Sequence, residues 1–440
     1  MGNERTRVAF VAAAIAGCIG ALAFVGSDVL WLVPLGSAIE HGRLPSSIAY
    51  ASAPTSHWHD VPAGAELVAW AAYHAFGGVR GLAVAQAGAV AAAFAALAYG
   101  LRRRTTDATV LIACALVLVG SLTAVLVVNA SLFSFALFPV LLLLLERESG
   151  SPSRLILLAV PLIALWGNLH GEVLVGYALL ACYLLLDRAF REPWLALGTM
   201  VASGLALFAN PALWHTPRYY SSVLHTVVAE QRKGLWTPFG FGPLDVIEII
   251  AALALLALVV RGGFPVRRWE LVALLGLTAE AVHVARAGPW LLFVLAYPAT
   301  RSVRLGGALR ANVLAIVAVA FAGATVAALV KGPRDPGSSS LAARAAHTGA
   351  AVLAEGILGQ QVALAGGRIW VDNPLDAFRK EDQQLYLDWL EGRSSGDAAL
   401  AHASYVVVQP GSDAGKRAAR NPRLARIASD RGAALYRVTG

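Results

Sequence analysis

Charged residues are scarce in this chain, and their scarcity excludes an ordinary soluble enzyme. Asp, Glu, Lys and Arg make up 14% of the 440 residues, whereas soluble globular domains carry roughly 25%. Cysteine is also scarce. Cys18, Cys114 and Cys182 all lie in apolar runs, with no CxxC or Cys/His spacing. A disulfide scaffold and a cysteine-ligated metal site are therefore excluded.

The sequence is instead rich in long apolar runs. Hydrophobic residues make up 58% of the chain, and a helical membrane span needs about 20 consecutive, mostly apolar residues. The pattern predicts a polytopic α-helical membrane protein with about eleven transmembrane helices. The predicted spans lie near 8–25, 79–100, 107–127, 130–146, 154–168, 171–187, 193–209, 244–260, 268–284, 286–300 and 307–330.

Basic residues predict the orientation of these spans. With a cytoplasmic N-terminus, the inside loops hold fifteen Arg residues and the longer outside loops hold six Arg and Lys residues. Cytoplasmic loops of membrane proteins carry the excess of Lys and Arg. The sequence therefore predicts an N-terminus in the cytoplasm and, with an odd number of spans, a C-terminal segment outside. It also disfavours nucleic acid as a partner, because the net charge of +8 is read as a topology signal.

Three predicted outside segments are too long to be simple turns: 26–78, 210–243 and 332–440. Long connections in compact folds are usually functional or separate domains. We therefore expect a transmembrane domain over 1–331, which includes the first two segments, and a small α/β domain over 332–440. In that domain the pattern predicts an Ala-rich helix at 341–358, a helix at 382–391, and strands at 368–372, 404–408 and 434–438.

Asp28 is the clearest candidate for chemistry. It directly follows the first span, ahead of an amphipathic surface helix. A carboxylate at this position can accept a proton from a hydroxyl group, and ionisable groups at the membrane edge are functional candidates. The structural alternative is that Ser27 or Asp28 caps the helix that follows.

The SHWHD sequence and two further groups add polar candidates. His57, His59 and Asp60 form a short cluster whose spacing is only weakly typical of metal ligands. The alternative, which the spacing favours, is a polar loop with Trp58 at the membrane interface. Glu66 interrupts an otherwise apolar helix. A turn between spans carries Asn168, His170 and Glu172. Three outside cations, Arg218, Arg232 and Lys233, lie among aromatics in 210–243, and Arg286 ends a span. Arg is suited to grip phosphate, although anchoring at lipid headgroups also explains these positions.

In their order along the chain, these motifs resemble the GT-C superfamily of integral-membrane glycosyltransferases, in particular a bacterial subgroup. The resemblance covers most of the chain. The residues that carry it are Asp28, Gly36, Gly42, Arg43, Pro45, Trp58, Glu66, Trp166, Asn168, His170, Gly171, Asn210, Pro211, Glu230, Arg286, Pro289 and Asp372.

This resemblance implies a bacterial plasma-membrane enzyme that takes a hexosyl or pentosyl group from a polyprenyl-phosphate donor. The acceptor is a glycan, lipid or protein on the extracytoplasmic face. Asp28 takes the role of general base, and Arg218, Arg232, Lys233 or Arg286 holds the donor phosphate. Glu66, Asn168, His170 and Glu230 are further substrate-binding candidates, with His57, His59 and Asp60 as secondary ones. No cofactor and no metal ligands are assigned, although a divalent cation is compatible with these residues.

Two departures from that pattern leave other functions open. Many relatives have two neighbouring acids in the first outside loop, whereas the position two before Asp28 is Gly26 here, which leaves Asp28 alone. Relatives with the most similar C-terminal segments often have Asp-Gly-Arg where this chain has Asp372, Asn373 and Pro374. One alternative is a transporter of a lipid-linked sugar, which needs no base. The other is a non-catalytic assembly partner that binds an envelope protein through residues 332–440.

Overall fold

The computed structural model is mainly helical and divides into two compact units, which we describe separately. The helical unit comprises Met1–Ala23, Phe76–Asn210 and Arg232–Pro333, and the α/β unit comprises Phe24–Ala75, Pro211–Gln231 and Arg334–Gly440. The structure describes residues 2–26, 28–55, 58–306, 316, 319–320, 323, 326–327, 330 and 340–439.

The helical unit consists of apolar helices joined by short turns and one short strand, Val127–Val128. Its α-helices are Gly2–Gly20, Val79–Leu101, Asp107–Gly120, Leu122–Val125, Leu132–Gly150, Ala159–Gly167, Val173–Leu186, Pro193–Ala206, Pro243–Arg261, Arg268–His283 and Gly288–Arg301. Short 3₁₀ helices cover Arg154–Leu158, Arg188–Phe190, Gly234–Trp236 and Ala285–Ala287.

Every predicted span up to residue 300 contains a helix, and the span at 307–330 lies largely outside the described residues. Among the residues described, three helices are long and apolar enough to cross a membrane: Val79–Leu101, Val173–Phe190 and Pro243–Arg261. Other helices are shorter, such as Asp107–Gly120 with 14 residues, or end in charged residues, as Leu132–Gly150 does. The count of about eleven spans therefore stays a prediction.

Apolar side chains cover the exposed surface of several helices in this unit. On the helix Pro243–Arg261, Ile250 is 59% exposed and Val260 is 64% exposed, and on Arg268–His283 Leu275 is 65% exposed. Contiguous exposed apolar surface of this kind is typical of membrane contact. A membrane location is therefore plausible for the helical unit.

Arginine residues neutralise buried acids at the helix ends of this unit. Glu146 and Glu270 are 4% and 0% exposed. Arg104 and Arg267 each lie 3.2 Å from Glu146, and Arg301 contacts both acids, at 3.1 Å from Glu146. A buried carboxylate is costly without a cation, so these arginines stabilise the helix ends. They also belong to the excess of positive charge that the sequence places in the predicted cytoplasmic loops.

The α/β unit combines short helices with one five-stranded sheet and the short strand Phe24–Val25. Its α-helices are Leu32–Glu40, Ala63–Ala75, Thr216–Leu224, Val227–Glu230, Ser340–Ala346, Ile357–Leu364, Lys380–Leu390 and Asp413–Ala418. Its 3₁₀ helices are Leu213–His215, Leu375–Ala377 and Ser394–His402. The sheet strands are β1 (Ala351–Ala354), β2 (Arg368–Ile369), β3 (Tyr405–Val408), β4 (Leu424–Ser429) and β5 (Ala434–Val438).

The spatial order of the strands is β2-β1-β3-β5-β4. β1 pairs in parallel with β2 and β3, and β5 pairs antiparallel with β3 and β4. The Ala-rich segment 341–358 was predicted to be one helix, and that prediction was wrong. Its helical part ends at Ala346, Gly349 has φ +68°, and 351–354 forms β1, an interior strand of the sheet. Pairing on both sides overrides the helix propensity of alanine there. Strand β4, at the sheet edge with two arginines nearby, was not predicted.

The first long segment completes the edge of this sheet. The backbone N–H groups of Ser52 and Ala53 donate to the carbonyls of Ile369 and Trp370, and the Ile369 N–H donates to the Tyr50 carbonyl. Edge strands expose unpaired backbone groups. Residues 50–53 form hydrogen bonds with the exposed backbone groups at the edge of β2, as an added strand would. Residues near the start of the chain and residues of the C-terminal segment therefore share one core.

Candidate functional site

Asp28 lies half-buried in the α/β unit, in a turn that precedes the helix Leu32–Glu40. The N-cap residue of that helix is Trp31, and it makes no side-chain capping hydrogen bond. Asp28 therefore does not act as the cap of this helix. Burial is the main cause that raises the pKa of Asp376, a residue of the C-terminal segment, and the charge of Asp28 adds a smaller rise. The two carboxyl groups therefore lie within electrostatic reach of each other.

Asp60 and Glu66 form a buried pair of acids in the same unit. The two residues are 4% and 0% exposed. None of their four carboxyl oxygens accepts a hydrogen bond from an N–H or O–H group of the described residues. Burial raises the pKa of Asp60 to about 7, although its contact with Glu66 lowers it. Burial and the charge of Asp60 together raise the pKa of Glu66 well above its usual range. Two neighbouring buried carboxyl groups of this kind favour the protonated, neutral form of at least one of them.

Glycine at position 36 allows the helix Ala63–Ala75 to approach this closely. A Cβ atom at Gly36 would lie 2.1 Å from the backbone oxygen of Glu66 and 2.7 Å from the Cβ of Trp70. Because both contacts are shorter than any tolerated carbon contact, Gly36 is required where the two helices pack. This contact holds Glu66 in its buried position.

A cavity of ≈ 230 Å³ lies within the α/β unit, next to these acids. It is formed by the first segment, by the helix Thr216–Leu224 and by the C-terminal segment. The lining residues are Pro54, Thr55, Trp58, His59, Arg218, Tyr219, Ser222, Asp376, Ala377, Phe378 and Arg379.

Asp376 lies in the wall of this cavity and is tied to the first segment. The indole Nε1 of Trp58 donates a hydrogen bond of 3.0 Å to Asp376 Oδ2. Burial raises the pKa of Asp376 to about 6, and the Trp58 hydrogen bond opposes that rise. Burial also raises the pKa of Tyr219 well above its usual range, with further contributions from Asp376, Asp60 and Glu66. Tyr219 thus links the cavity electrostatically to the buried acid pair.

Two histidines stack beside this cavity. The ring centroids of His59 and His215 lie 4.3 Å apart, with 13° between the ring planes. His59 lines the cavity. His57, predicted as its neighbour in a metal-binding cluster, lies outside the described residues. In the part of the chain that the structure describes, no group of three or more His, Cys, Asp or Glu side chains is arranged to hold a metal ion.

A second polar cluster lies in the helical unit, around the turn after the helix Ala159–Gly167. The His170 Nδ1 atom lies 2.9 Å from Ser134 Oγ and 3.4 Å from Glu172 Oε2. A Ser-His-acid relay uses both ring nitrogens. Because one nitrogen serves both partners here, this cluster is not such a relay.

Arg286 belongs to the same cluster. Its Nε atom lies 4.0 Å from Glu172 Oε1, and its guanidinium carbon lies 4.5 Å from the centroid of the Trp236 ring. These contacts fix the position of the guanidinium group, whose side chain is 31% exposed. Arg286 is therefore a positioned cation that an anion can still reach.

The other predicted site residues are dispersed. The Asn168 amide donates to the carbonyls of Ala164 and Ala209, so it fixes the turn. Glu230 forms an exposed ion pair with Lys380. Arg232 is exposed and has a left-handed backbone conformation with φ +53°, and Lys233 is half-buried. These assignments as substrate-binding residues stay predictions.

Sequence reasoning did not identify several residues of the cavity. Asp376, Phe378 and Arg379 lie in the C-terminal segment, more than 150 positions after the lining residues of the first two segments. They follow Asp372, which the resemblance did single out. One acid and one arginine after that motif, Asp376 and Arg379, were the available signal, but nothing local connects them to Trp58.

Comparisons with known proteins support the fold only. No family model and no curated protein matches this chain. Among solved structures, the chain is similar to a cryo-EM structure of the arabinofuranosyltransferase AftD from mycobacteria, with a TM-score of 0.54 and 17% sequence identity. The similarity covers 98% of this chain and 41% of that one. At this identity the match shows a shared fold, and the assignment to the GT-C superfamily stays a prediction.

Proposed function

We propose that this chain is a glycosyltransferase that uses a polyprenyl-phosphate sugar donor. It transfers a hexosyl or pentosyl group to a glycan, lipid or protein acceptor on the extracytoplasmic face of the bacterial plasma membrane. In this proposal the chain has about eleven spans, its N-terminus is cytoplasmic, and residues 332–440 are outside.

One observation carries the proposal. The three segments that the hydropathy pattern assigns to the outside face contribute the three parts of the α/β unit: Phe24–Ala75, Pro211–Gln231 and Arg334–Gly440. The candidate base Asp28, the cavity and the cation Arg218 therefore belong to one folded unit. The fold shared with an arabinofuranosyltransferase supports a transferase-like role in general terms.

In the proposed reaction, Asp28 accepts the proton of an acceptor hydroxyl group. The oxygen attacks the anomeric carbon of the donor sugar, and the bond from that carbon to the phosphate oxygen breaks. Polyprenyl phosphate leaves with one additional negative charge, which Arg218 is suited to stabilise. Arg232, Lys233 and Arg286, the other cations predicted from the sequence, belong to the helical unit. The phosphate ester is already activated, so no nucleotide is consumed.

Sugar transfer by the purified full chain tests this proposal. Radiolabelled polyprenyl-phosphate hexoses and pentoses serve as donors, and a native membrane extract supplies acceptors. We expect label to move from at least one donor. Asp28→Asn should reduce the rate by at least about 100-fold, the usual contribution of a general base. Asp413→Asn is the matched control, because Asp413 is exposed and pairs only with Lys416 among the described ion pairs.

Two outcomes contradict the proposal. If no donor supports transfer by the wild-type chain, the glycosyltransferase function is wrong. If Asp28→Asn and wild type transfer at equal rates, Asp28 is not the base. Movement of intact lipid-linked sugar across proteoliposomes, unaffected by Asp28→Asn, would identify a transporter instead.

A further inference from the structure

The cavity of the α/β unit has the size of a site for one sugar ring. Its volume is ≈ 230 Å³, below the roughly 300–1,000 Å³ of sites for larger organic ligands. A long oligosaccharide or a lipid chain does not fit inside it. The lining residues therefore indicate a small, polar ligand.

Two arginines line this cavity from different parts of the chain, and both are exposed to solvent. Arg218 comes from the helix Thr216–Leu224, and Arg379 directly precedes the helix Lys380–Leu390. Neither arginine forms an ion pair with a described acid, in contrast to Arg393 and Arg417 in the same unit, which pair with Asp388 and Asp397. Unpaired guanidinium groups at a cavity favour an anion, and their planar donors match a phosphate group in particular.

The rest of the lining favours a ring that carries hydroxyl groups. Trp58, Tyr219 and Phe378 supply aromatic surface, as small-molecule sites usually do. Asp376 receives the Trp58 N–H on one oxygen, and a carboxylate can accept further hydrogen bonds from hydroxyl groups. Aromatic walls, one oriented carboxyl group and two cations together match a phosphorylated sugar better than a bare anion.

We propose that this cavity binds a sugar phosphate, with Arg218 and Arg379 holding the phosphate group and Asp376 holding a ring hydroxyl group. The C-terminal segment is then part of the substrate site, since it supplies Asp376, Phe378 and Arg379. This inference deepens the proposed function, on which the choice of a sugar ligand rests. The phosphosugar can belong to a lipid-linked donor or to a water-soluble glycan.

Equilibrium binding to the full chain in detergent, measured by calorimetry, tests the proposal without turnover. The probes are glucose 1-phosphate, arabinose 5-phosphate, free glucose, inorganic phosphate and geranyl phosphoglucose. We expect saturable binding of at least one sugar phosphate, tighter than that of inorganic phosphate or glucose. Arg218→Gln and Arg379→Gln should each weaken it about tenfold. Arg420→Gln, an exposed arginine of the same unit, should not change it.

The lysine variants Arg218→Lys and Arg379→Lys sharpen the test, because they keep the charge but lose the planar pair of donors. They should bind with intermediate affinity. A clear preference for geranyl phosphoglucose over glucose 1-phosphate assigns the ligand to a lipid-linked donor. Binding of glucose 1-phosphate that is lost when the geranyl group is added assigns it to a water-soluble source, and equal affinity shows that the cavity recognises the phosphosugar alone.

The proposal is overturned if no sugar phosphate binds, if inorganic phosphate binds as tightly as the sugar phosphates, or if both glutamine variants bind like wild type. Its failure is separable from failure of the proposed function. Transfer that persists without binding at this cavity contradicts the cavity assignment alone. Sugar phosphate binding without any transfer contradicts the glycosyltransferase alone.

Discussion

Two buried pairs of acids, one in each unit of this protein, have different surroundings. In the helical unit, Glu146 and Glu270 contact arginines on neighbouring helices. In the α/β unit, Asp60 and Glu66 have no described cation within ion-pair distance and contact each other. Paired acids of the first kind stabilise a fold. Acids buried without a cation reduce stability, and such a cost is typical of groups that serve a site.

The largest expected effect comes from breaking a pair in the helical unit. Arg301→Met removes the cation shared by Glu146 and Glu270 and leaves buried negative charge under-compensated. We expect a loss of about 3 kcal/mol, measured as a fall in the melting temperature of the purified chain. Arg191→Gln is the control, because Arg191 and Asp187 form a more exposed pair that contributes under about 1 kcal/mol. Equal melting temperatures for the two variants would contradict the structural role of this network.

A smaller effect is expected from separating the helices that bury Glu66. Gly36→Ala places a Cβ atom 2.1 Å from the Glu66 backbone oxygen, so the helix must move. We expect a loss of about 2 kcal/mol, typical of overpacking, together with a weaker pH dependence of stability as water reaches Glu66. Gly411→Ala is the matched control, since a Cβ atom there meets no described atom within 4 Å. An unchanged melting temperature for Gly36→Ala would show that this helix contact is not tight.

The smallest effect is a gain of stability from removing an unpaired acid. The folded-state pKa of Asp60, about 7, lies above its ordinary value of 3.8, and the Glu66 pKa is raised as well. The folded state therefore binds more protons than the unfolded state between about pH 4 and pH 7, and stability falls as the pH rises through that window. Glu66→Gln removes part of this cost.

We expect Glu66→Gln to be more stable than wild type by about 1 kcal/mol at pH 8 and to differ little at pH 4. Melting temperatures over this pH range measure the effect, and Glu381→Gln, at an exposed position, provides the control. A Glu66→Gln variant that is less stable than wild type at pH 8 would indicate a cation partner for the pair, and the contrast between the two units would fail.

Features that depend on local composition could be predicted from the sequence alone. Long apolar runs located helices up to residue 300, because apolar helices need no distant partner to be recognised. Strands β3 and β5 were predicted from runs rich in Val and Tyr. Strand β1 was not, since its alanines favour a helix and only pairing with β2 and β3 makes them a strand.

The cavity depended on contacts that no local pattern reports. Trp58 and Asp376 are joined by one hydrogen bond across 318 positions of the chain, and the first segment meets the sheet at Ile369. Asp28 was identified as a lone acid because its neighbours in sequence are not acidic. In the folded chain a second carboxyl group, that of Asp376, acts on it electrostatically, and only the folded structure brings the two together.

The most direct test of this account compares Asp28→Asn with Arg301→Met in one sugar-transfer assay, with rates normalised to folded protein. We expect Asp28→Asn to keep the wild-type melting temperature and to lose at least about 100-fold in rate. We expect Arg301→Met to melt at a lower temperature and to transfer sugar at the wild-type rate per folded molecule. Full activity in Asp28→Asn, or loss of activity confined to Arg301→Met, would contradict the assignment of chemistry to the α/β unit.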